Sequence, residues 1–182
     1  MDIANLKKIL SSGIMAEPQD DSKNKLAAVM IIVFGNEPMI LMTERPETMN
    51  HHAGEISFPG GTWEKKDVNL LGTAIRETQE ELGLEISKEM VIGQLKPVTT
   101  LNSGFKITPF VTMIDTLPDI IPNSEIASVL RIPLNSLLQT IEDDKDPLHH
   151  SILEMYTFKF ENHLIWGASA RMLKQIHDKI LS

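Results

Sequence analysis

The stretch Gly60-Gly61-Thr62-Trp63-Glu64-Lys65-Lys66-Asp67-Val68-Asn69-Leu70-Leu71-Gly72-Thr73-Ala74-Ile75-Arg76-Glu77-Thr78-Gln79-Glu80-Glu81-Leu82-Gly83 carries most of the information in this chain. Pro59-Gly60-Gly61 breaks the element before it. Asp67 reads as an N-cap for a helix over residues 68–82, with Gly83 as its left-handed stop. At about 100° per residue, Leu71, Ile75, Thr78 and Leu82 share a stripe about 60° wide, the expected buried face. Glu77, Glu80 and Glu81 fall in another arc of about 100°, turned away from that stripe. Carboxylates held this close repel one another unless a cation sits among them. Such hard oxygen donors suit Mg2+ or Mn2+, ions that activate water and neutralise charge on a phosphoryl group. The commoner meaning of a glutamate-rich helix face is a solvated surface, with Arg76 pairing with the acids. The helix alone leaves both readings open.

Upstream, Leu26 to Phe34 and Met39 to Thr43 are rich in Val, Ile and Met, and with Gly35-Asn36 between them they predict a hairpin. Ile3, Leu6 and Leu10 have helical spacing, followed by a polar loop. Downstream, strands are expected over residues 90–99, 105–114 after an Asn102-Ser103-Gly104 turn, and 125–132. Pro133 then opens a short helix, and strands near 155–160 and 164–166 precede a last helix over 168–181. Strands mixed with helices in this order predict an α/β sandwich. The expected organisation is an N-terminal helix and loop over residues 1–25 and a single domain over 26–182.

The 182 residues include 42% hydrophobic and 23% charged side chains, the proportions of an ordinary globular domain. The chain contains no cysteine, which excludes disulfides, thiolate metal sites and cysteine nucleophiles. A net charge of −8 disfavours broad contact with nucleic acid or anionic membrane. Leu26 to Phe34 is far too short to span a membrane, and the first residues lack a signal-peptide pattern, so a cytoplasmic location is expected. P-loop, H-E-x-x-H and G-x-S-x-G patterns are absent, leaving phosphoryl transfer to an acceptor, zinc proteolysis and serine hydrolysis without support.

The decisive stretch resembles the box of the Nudix family, G-x5-E-x7-R-E-U-x-E-E-x-G-U with U aliphatic. Gly61, Arg76, Glu77, Glu80, Glu81, Gly83 and Leu84 match it. Asp67 stands where the family has glutamate, with eight residues rather than seven before Arg76, and Thr78 replaces an aliphatic residue. Those departures, with Leu41-Met42-Thr43-Glu44-Arg45 and His52-Ala53-Gly54-Glu55-Ile56-Ser57-Phe58-Pro59-Gly60-Gly61, are similar to the coenzyme A pyrophosphatase subgroup. Ser103 to Val111, Ser124-Glu125-Ile126 through Pro133-Leu134, and Ile165 to Arg171 extend the likeness.

The resemblance implies a Nudix-like α/β/α sandwich with a mixed β-sheet. It implies a metal-dependent hydrolase of a diphosphate linkage in coenzyme A or a derivative, giving 3′,5′-ADP and 4′-phosphopantetheine. The alternatives are another nucleoside diphosphate derivative as substrate, or a module that binds a nucleotide without cutting it. The intact acidic set argues against the last.

Residue by residue, the resemblance makes Glu77, Glu80, Glu81 and the Gly60 carbonyl ligands of Mg2+ or Mn2+. It gives catalytic roles to Glu77, Glu81 and Glu125, and substrate contacts to Arg45, His52, Gly60 and Gly61. Arg76 is implied to be structural, paired with Asp67. The expected partner is a small nucleoside diphosphate derivative, with a homodimer as one option. Trp166 and Tyr156 offer rings for stacking on adenine, although core or lid packing is the favoured reading of both. Asn50 stands where the subgroup carries a basic residue, which predicts weaker recognition of a 3′-phosphate. His51 and the His149-His150 pair match nothing and are expected to be solvated.

Overall fold

A computed structural model describes residues 3–18, 24–48, 54–100, 103–146 and 155–182. The elements are α1 (Ile3–Leu10), β1 (Lys25–Phe34), β2 (Met39–Glu44), β3 (Ile56–Ser57), β4 (Gly60–Thr62), α2 (Leu70–Leu82), β5 (Val91–Gln94), β6 (Val98–Thr99) and β7 (Phe105–Ile114). They continue with β8 (Ser128–Pro133), α3 (Leu134–Leu138), β9 (Glu142–Asp143), β10 (Tyr156–Phe160), β11 (His163–Ile165) and α4 (Gly167–Leu181).

The central strand, β1, is buried on both faces, which is why it reads as an unbroken apolar run. Ala28, Met30, Ile32 and Phe34 face the core beneath α2, while Ile31 and Val33 face a second core shared with α1, α3 and α4. Alternation along one strand therefore supplies both interfaces of an α/β/α sandwich. The sheet is mixed: β1 runs parallel to β7 from Lys25↔Phe105 to Phe34↔Ile114, and antiparallel to β2 and β4. β2 in turn pairs antiparallel with β3 and β8. A smaller sheet, β11-β10-β9, packs against α4. Leu6 and Leu10 of α1 are fully buried in the core that contains α4. Among the described residues, no helix is long and apolar enough to cross a membrane.

Three local expectations need correction. The segment 90–99 is two strands with a 3-10 turn before them, because Pro97 has no N–H to continue the ladder. Gly93 also shifts the register, where its backbone lies against Leu10 and Ser12. The strand expected from Glu125 begins only at Ser128, and residues 124–127 form a loop instead. Finally, α2 begins at Leu70 rather than Val68, and its cap is Asn69, whose Oδ1 accepts the Gly72 N–H at 3.0 Å. Asp67 cannot cap it, because both of its oxygens are bound elsewhere; Val68 is 89% exposed.

Candidate active site

The turn before α2 is built on a buried ion pair. Arg76 Nε donates to Asp67 Oδ1 at 2.7 Å and Arg76 Nη2 to Oδ2 at 3.0 Å, a two-pronged fit of guanidinium to carboxylate. Asp67 Oδ2 also accepts from the Thr73 hydroxyl at 2.9 Å and the Glu64 N–H at 3.0 Å. The Arg76 hydrogen bonds, against the opposing effect of burial, hold the Asp67 pKa down at about 2. Asp67 raises the proton affinity of Arg76 in the same way. Closing this pair locks the Thr62–Asp67 segment to the middle of α2, which sets the height of β4 against the helix.

The remaining guanidinium nitrogen of Arg76, Nη1, reaches Glu77 Oε1 at 2.8 Å and Glu80 Oε2 at 3.1 Å, using one oxygen of each. Glu80 is exposed, whereas Glu77 is largely covered. Glu77 lies directly against Gly61: a Cβ there would sit 2.5 Å from the Glu77 carboxyl carbon. On Gly60 a Cβ would collide with the Ala28 carbonyl and the Val29 backbone. The two glycines are therefore required by the approach of β4 to β1 on one side and of an acid to the backbone on the other.

Glu81 departs most from the helical-wheel expectation. It is 5% exposed and lies among the buried residues of α2, with Leu70, Thr73, Ala74, Thr78 and Leu82, while Leu71 and Ile75 are only partly covered. The helix packs on β1 and β4 together, so the buried arc rotates toward β4 and takes Glu81 with it. Its Oε2 accepts the Gly60 N–H at 3.0 Å. Burial raises the Glu81 pKa to about 7; the Gly60 N–H and the Arg45 charge oppose that rise, and Glu77 and Glu125 add to it. Burial likewise raises the Glu77 pKa, opposed by Arg76 and reinforced by Glu80 and Glu125.

Glu125 is exposed on the loop that returns to β8, and Arg45 follows the end of β2. Arg45 is held by backbone bonds, donating to Glu55 O at 3.1 Å and accepting from Gly54 N–H at 3.1 Å. The fold thus gathers Arg45, Gly60, Gly61, Glu77, Glu80, Glu81 and Glu125 from four separate segments. His52 lies outside the described residues, as do Asn50, His51, His149 and His150. Tyr156 is partly buried against the core, with Lys174 Nζ 5.0 Å from its ring centre, a packing role. Trp166 precedes α4 and is 38% exposed.

The residue set fits a hard divalent cation. Glu77 and Glu81 stand beside a glycine-lined strand where burial and neighbouring acids already disfavour negative charge, the condition a cation relieves, and Glu80 adds an exposed carboxylate one turn from Glu77. Among the described residues, no three acidic or histidine side chains are already arranged around one ion position; the Arg76 guanidinium lies between Glu77 and Glu80. Asn69, the Gly60–Glu81 bond and the burial of Glu81 were missed from sequence. Only Asn69, three residues before Gly72, left a usable trace in the pattern.

The family description "NUDIX domain" matches residues 24–152. An uncharacterized Nudix hydrolase, NudL of Photorhabdus laumondii, is 30% identical over 164 residues, covering 86% of each chain. The crystal structure of a MutT/nudix family protein from Enterococcus faecalis superposes with a TM-score of 0.64 at 14% identity, over 91% of this chain and 65% of that one. The NUDIX domain of Shewanella oneidensis NrtR, solved in complex with ADP ribose, gives a TM-score of 0.53 at 17% identity, over 68% of this chain and 81% of that one. The Arg76–Asp67 lock, the acids of α2 and the sandwich that carries them are thus accompanied by a family match across most of the chain, and the chain belongs to the Nudix family.

Proposed function

We propose that this protein hydrolyses a diphosphate linkage in a nucleoside diphosphate derivative, with coenzyme A or its acyl form as the favoured substrate. The observation that carries the first part is Glu81: a buried carboxylate bound to Gly60 and destabilised by its surroundings serves the fold poorly and a cation well. The coenzyme A assignment rests on the sequence signatures around Arg45, Gly60 and Ser103 to Val111. Glu77, Glu80, Glu81 and the Gly60 carbonyl would hold Mg2+ or Mn2+. When bound, the cation supplies positive charge to the diphosphate oxygens and makes water a better nucleophile.

Gly61, lacking a side chain, lets the Glu77 carboxylate and any cation it would hold lie against the β4 backbone. Arg45, whose charge is felt by the Glu81 carboxyl, would meet a phosphate oxygen in this reading. Water adds to one phosphorus, the bridging P–O bond breaks, and the bridging oxygen leaves with the other phosphate. Glu125 is exposed and close enough to influence both Glu77 and Glu81, so it can take the water proton and pass it to solvent.

A screen of coenzyme A, acyl-coenzyme A, ADP-ribose, diadenosine polyphosphates and nucleoside triphosphates with Mg2+ or Mn2+, read by product mass, tests the assignment. Products of 3′,5′-ADP and 4′-phosphopantetheine are expected from coenzyme A. Full turnover after dialysis into excess EDTA would refute the metal role, and preference for another substrate would refute the coenzyme A role.

A further inference from the structure

Glu125 sits on a loop fastened at both ends. On its N-terminal side, Ile121 N–H donates to Leu82 O at 2.9 Å and Asn123 N–H to Glu81 O at 2.9 Å, so the loop hangs from the last turn of α2. On its C-terminal side both fastenings go to one residue, Glu44. Ala127 N–H donates to the Glu44 carbonyl at 2.8 Å, and the Ser128 hydroxyl donates to Glu44 Oε2 at 2.5 Å. Glu44 is the last residue of β2, paired with Ile56 of β3 on one side and Ser128 of β8 on the other. The next residue is Arg45. His163 of β11 brings Nε2 to 3.6 Å from Glu44 Oε1, beyond hydrogen-bond length but within charge contact.

We propose that Glu44 is a positioning residue: its Ser128 bond fixes the Glu125 loop and the base of Arg45 in one register, so that both meet the Glu81 carboxyl from opposite segments. This rests on the proposed hydrolysis for its catalytic consequence, but the clamp itself is a property of the fold. The geometry supports it in two ways. Glu125 is exposed and donates its backbone N–H to Asn123 Oδ1 at 2.9 Å, and among the described residues no hydrogen bond fastens its carboxylate. The short hydroxyl-to-carboxylate bond at Ser128 is the side-chain restraint nearest to it on the β8 side. A misplacement of reacting groups by about 1 Å is enough to cost about a hundredfold in rate.

The test compares Glu44→Ala, Glu44→Gln, Ser128→Ala and the double variant Glu44→Ala/Ser128→Ala on the substrate found in the screen. Hydrogen exchange of residues 121–127 is measured in parallel. The expected result is a kcat about ten- to a hundredfold lower in Glu44→Ala and in Ser128→Ala, with KM within about twofold, because Arg45 keeps its backbone bonds to Gly54 and Glu55 while the Glu125 loop is released. Exchange across residues 121–127 should quicken. Glu44→Gln, which keeps an acceptor for the Ser128 hydroxyl, should recover most of the rate, and the double variant should be no worse than Glu44→Ala, as for two ends of one bond. If Glu44→Ala does not fold, Ser128→Ala, which removes a single hydroxyl, decides the matter. Parental kcat and parental exchange in Ser128→Ala would overturn the proposal, as would a Gln variant no better than Ala. An inactive parent would refute the hydrolase assignment instead, and the exchange comparison would still decide the clamp.

Discussion

Replacing Glu81 by Gln should make the metal-free protein more stable as pH rises, while removing its activity. Glu81 has a folded-state pKa of about 7 against an ordinary value of 4.5, and burial is the main cause. Because the folded value is the higher one, the carboxyl costs nothing below pH 4.5. The cost grows as pH rises through the interval and is complete above 7. Linkage gives a loss of about 1 kcal/mol at pH 5 and about 3 kcal/mol at pH 8. Gln has no such titration, and its amide oxygen can still accept the Gly60 N–H. Any fixed penalty for the new amide group is the same at every pH and cancels from the comparison. The variant-minus-parent stability should therefore rise by about 2.5 kcal/mol from pH 5 to pH 8, equivalent to a relative Tm gain of about 5–10 °C for a chain of this size.

The assay is urea unfolding in EDTA at pH 5, 6, 7 and 8, with Glu89→Gln, outside the acidic cluster, as the control. Saturating Mg2+ at about a hundred times Kd should return about 2.7 kcal/mol to the parent and far less to Glu81→Gln. The same variant should lose kcat by orders of magnitude. A stability difference that stays flat with pH would refute the account of Glu81 as a charge held at the expense of the fold. Undiminished turnover in the variant would refute its place in the site.

Asn69→Ala should lower stability by about 0.5–2 kcal/mol through loss of the α2 cap, measured by thermal melting, with kcat little changed. Asp67→Ala should cost more, about 3 kcal/mol, because it removes the partner of Arg76 Nε and Nη2 in a largely covered position and leaves only Glu77 and Glu80 at Nη1; an unchanged Tm would show that the pair does not lock the turn. Gly61→Ala should fold but lose metal-induced stabilisation, since its methyl would displace the Glu77 carboxylate; a parental Mg2+ shift in a melting assay would count against Glu77 as a ligand. Asn50→Arg should raise kcat/KM for coenzyme A relative to dephospho-coenzyme A, mainly through KM, because a charged donor bonds phosphate about twice as strongly as a neutral one; an identical ratio would place residue 50 outside the phosphate site.

The acidic helix and the glycines before it were visible in the sequence, because a helix of fixed pitch converts spacing directly into direction; the pairing of Asp67 with Arg76 was implied only by the family resemblance. The apolar run of β1 was equally plain, since a strand buried on both faces needs no polar alternation. The rotation of α2 was not visible. A helical wheel compares a residue only with its own neighbours, and on that measure Glu81 belonged with Glu77 and Glu80 on the wet side. The packing of α2 against β4 turned the buried arc and put Glu81 under cover, bound to a glycine twenty-one positions earlier. Asp67 lost the capping role that its type suggests because Arg76, less than two turns into α2, offered a stronger partner than two helix N–H groups. Arg45 and Glu125 come to act on Glu81 through the β2–β8 ladder, a pairing more than eighty residues apart in the chain. Local sequence determines which residues share a face of one element. Which face is dry, and which distant acids share a field, depends on how elements press together, and only the tertiary structure decides that.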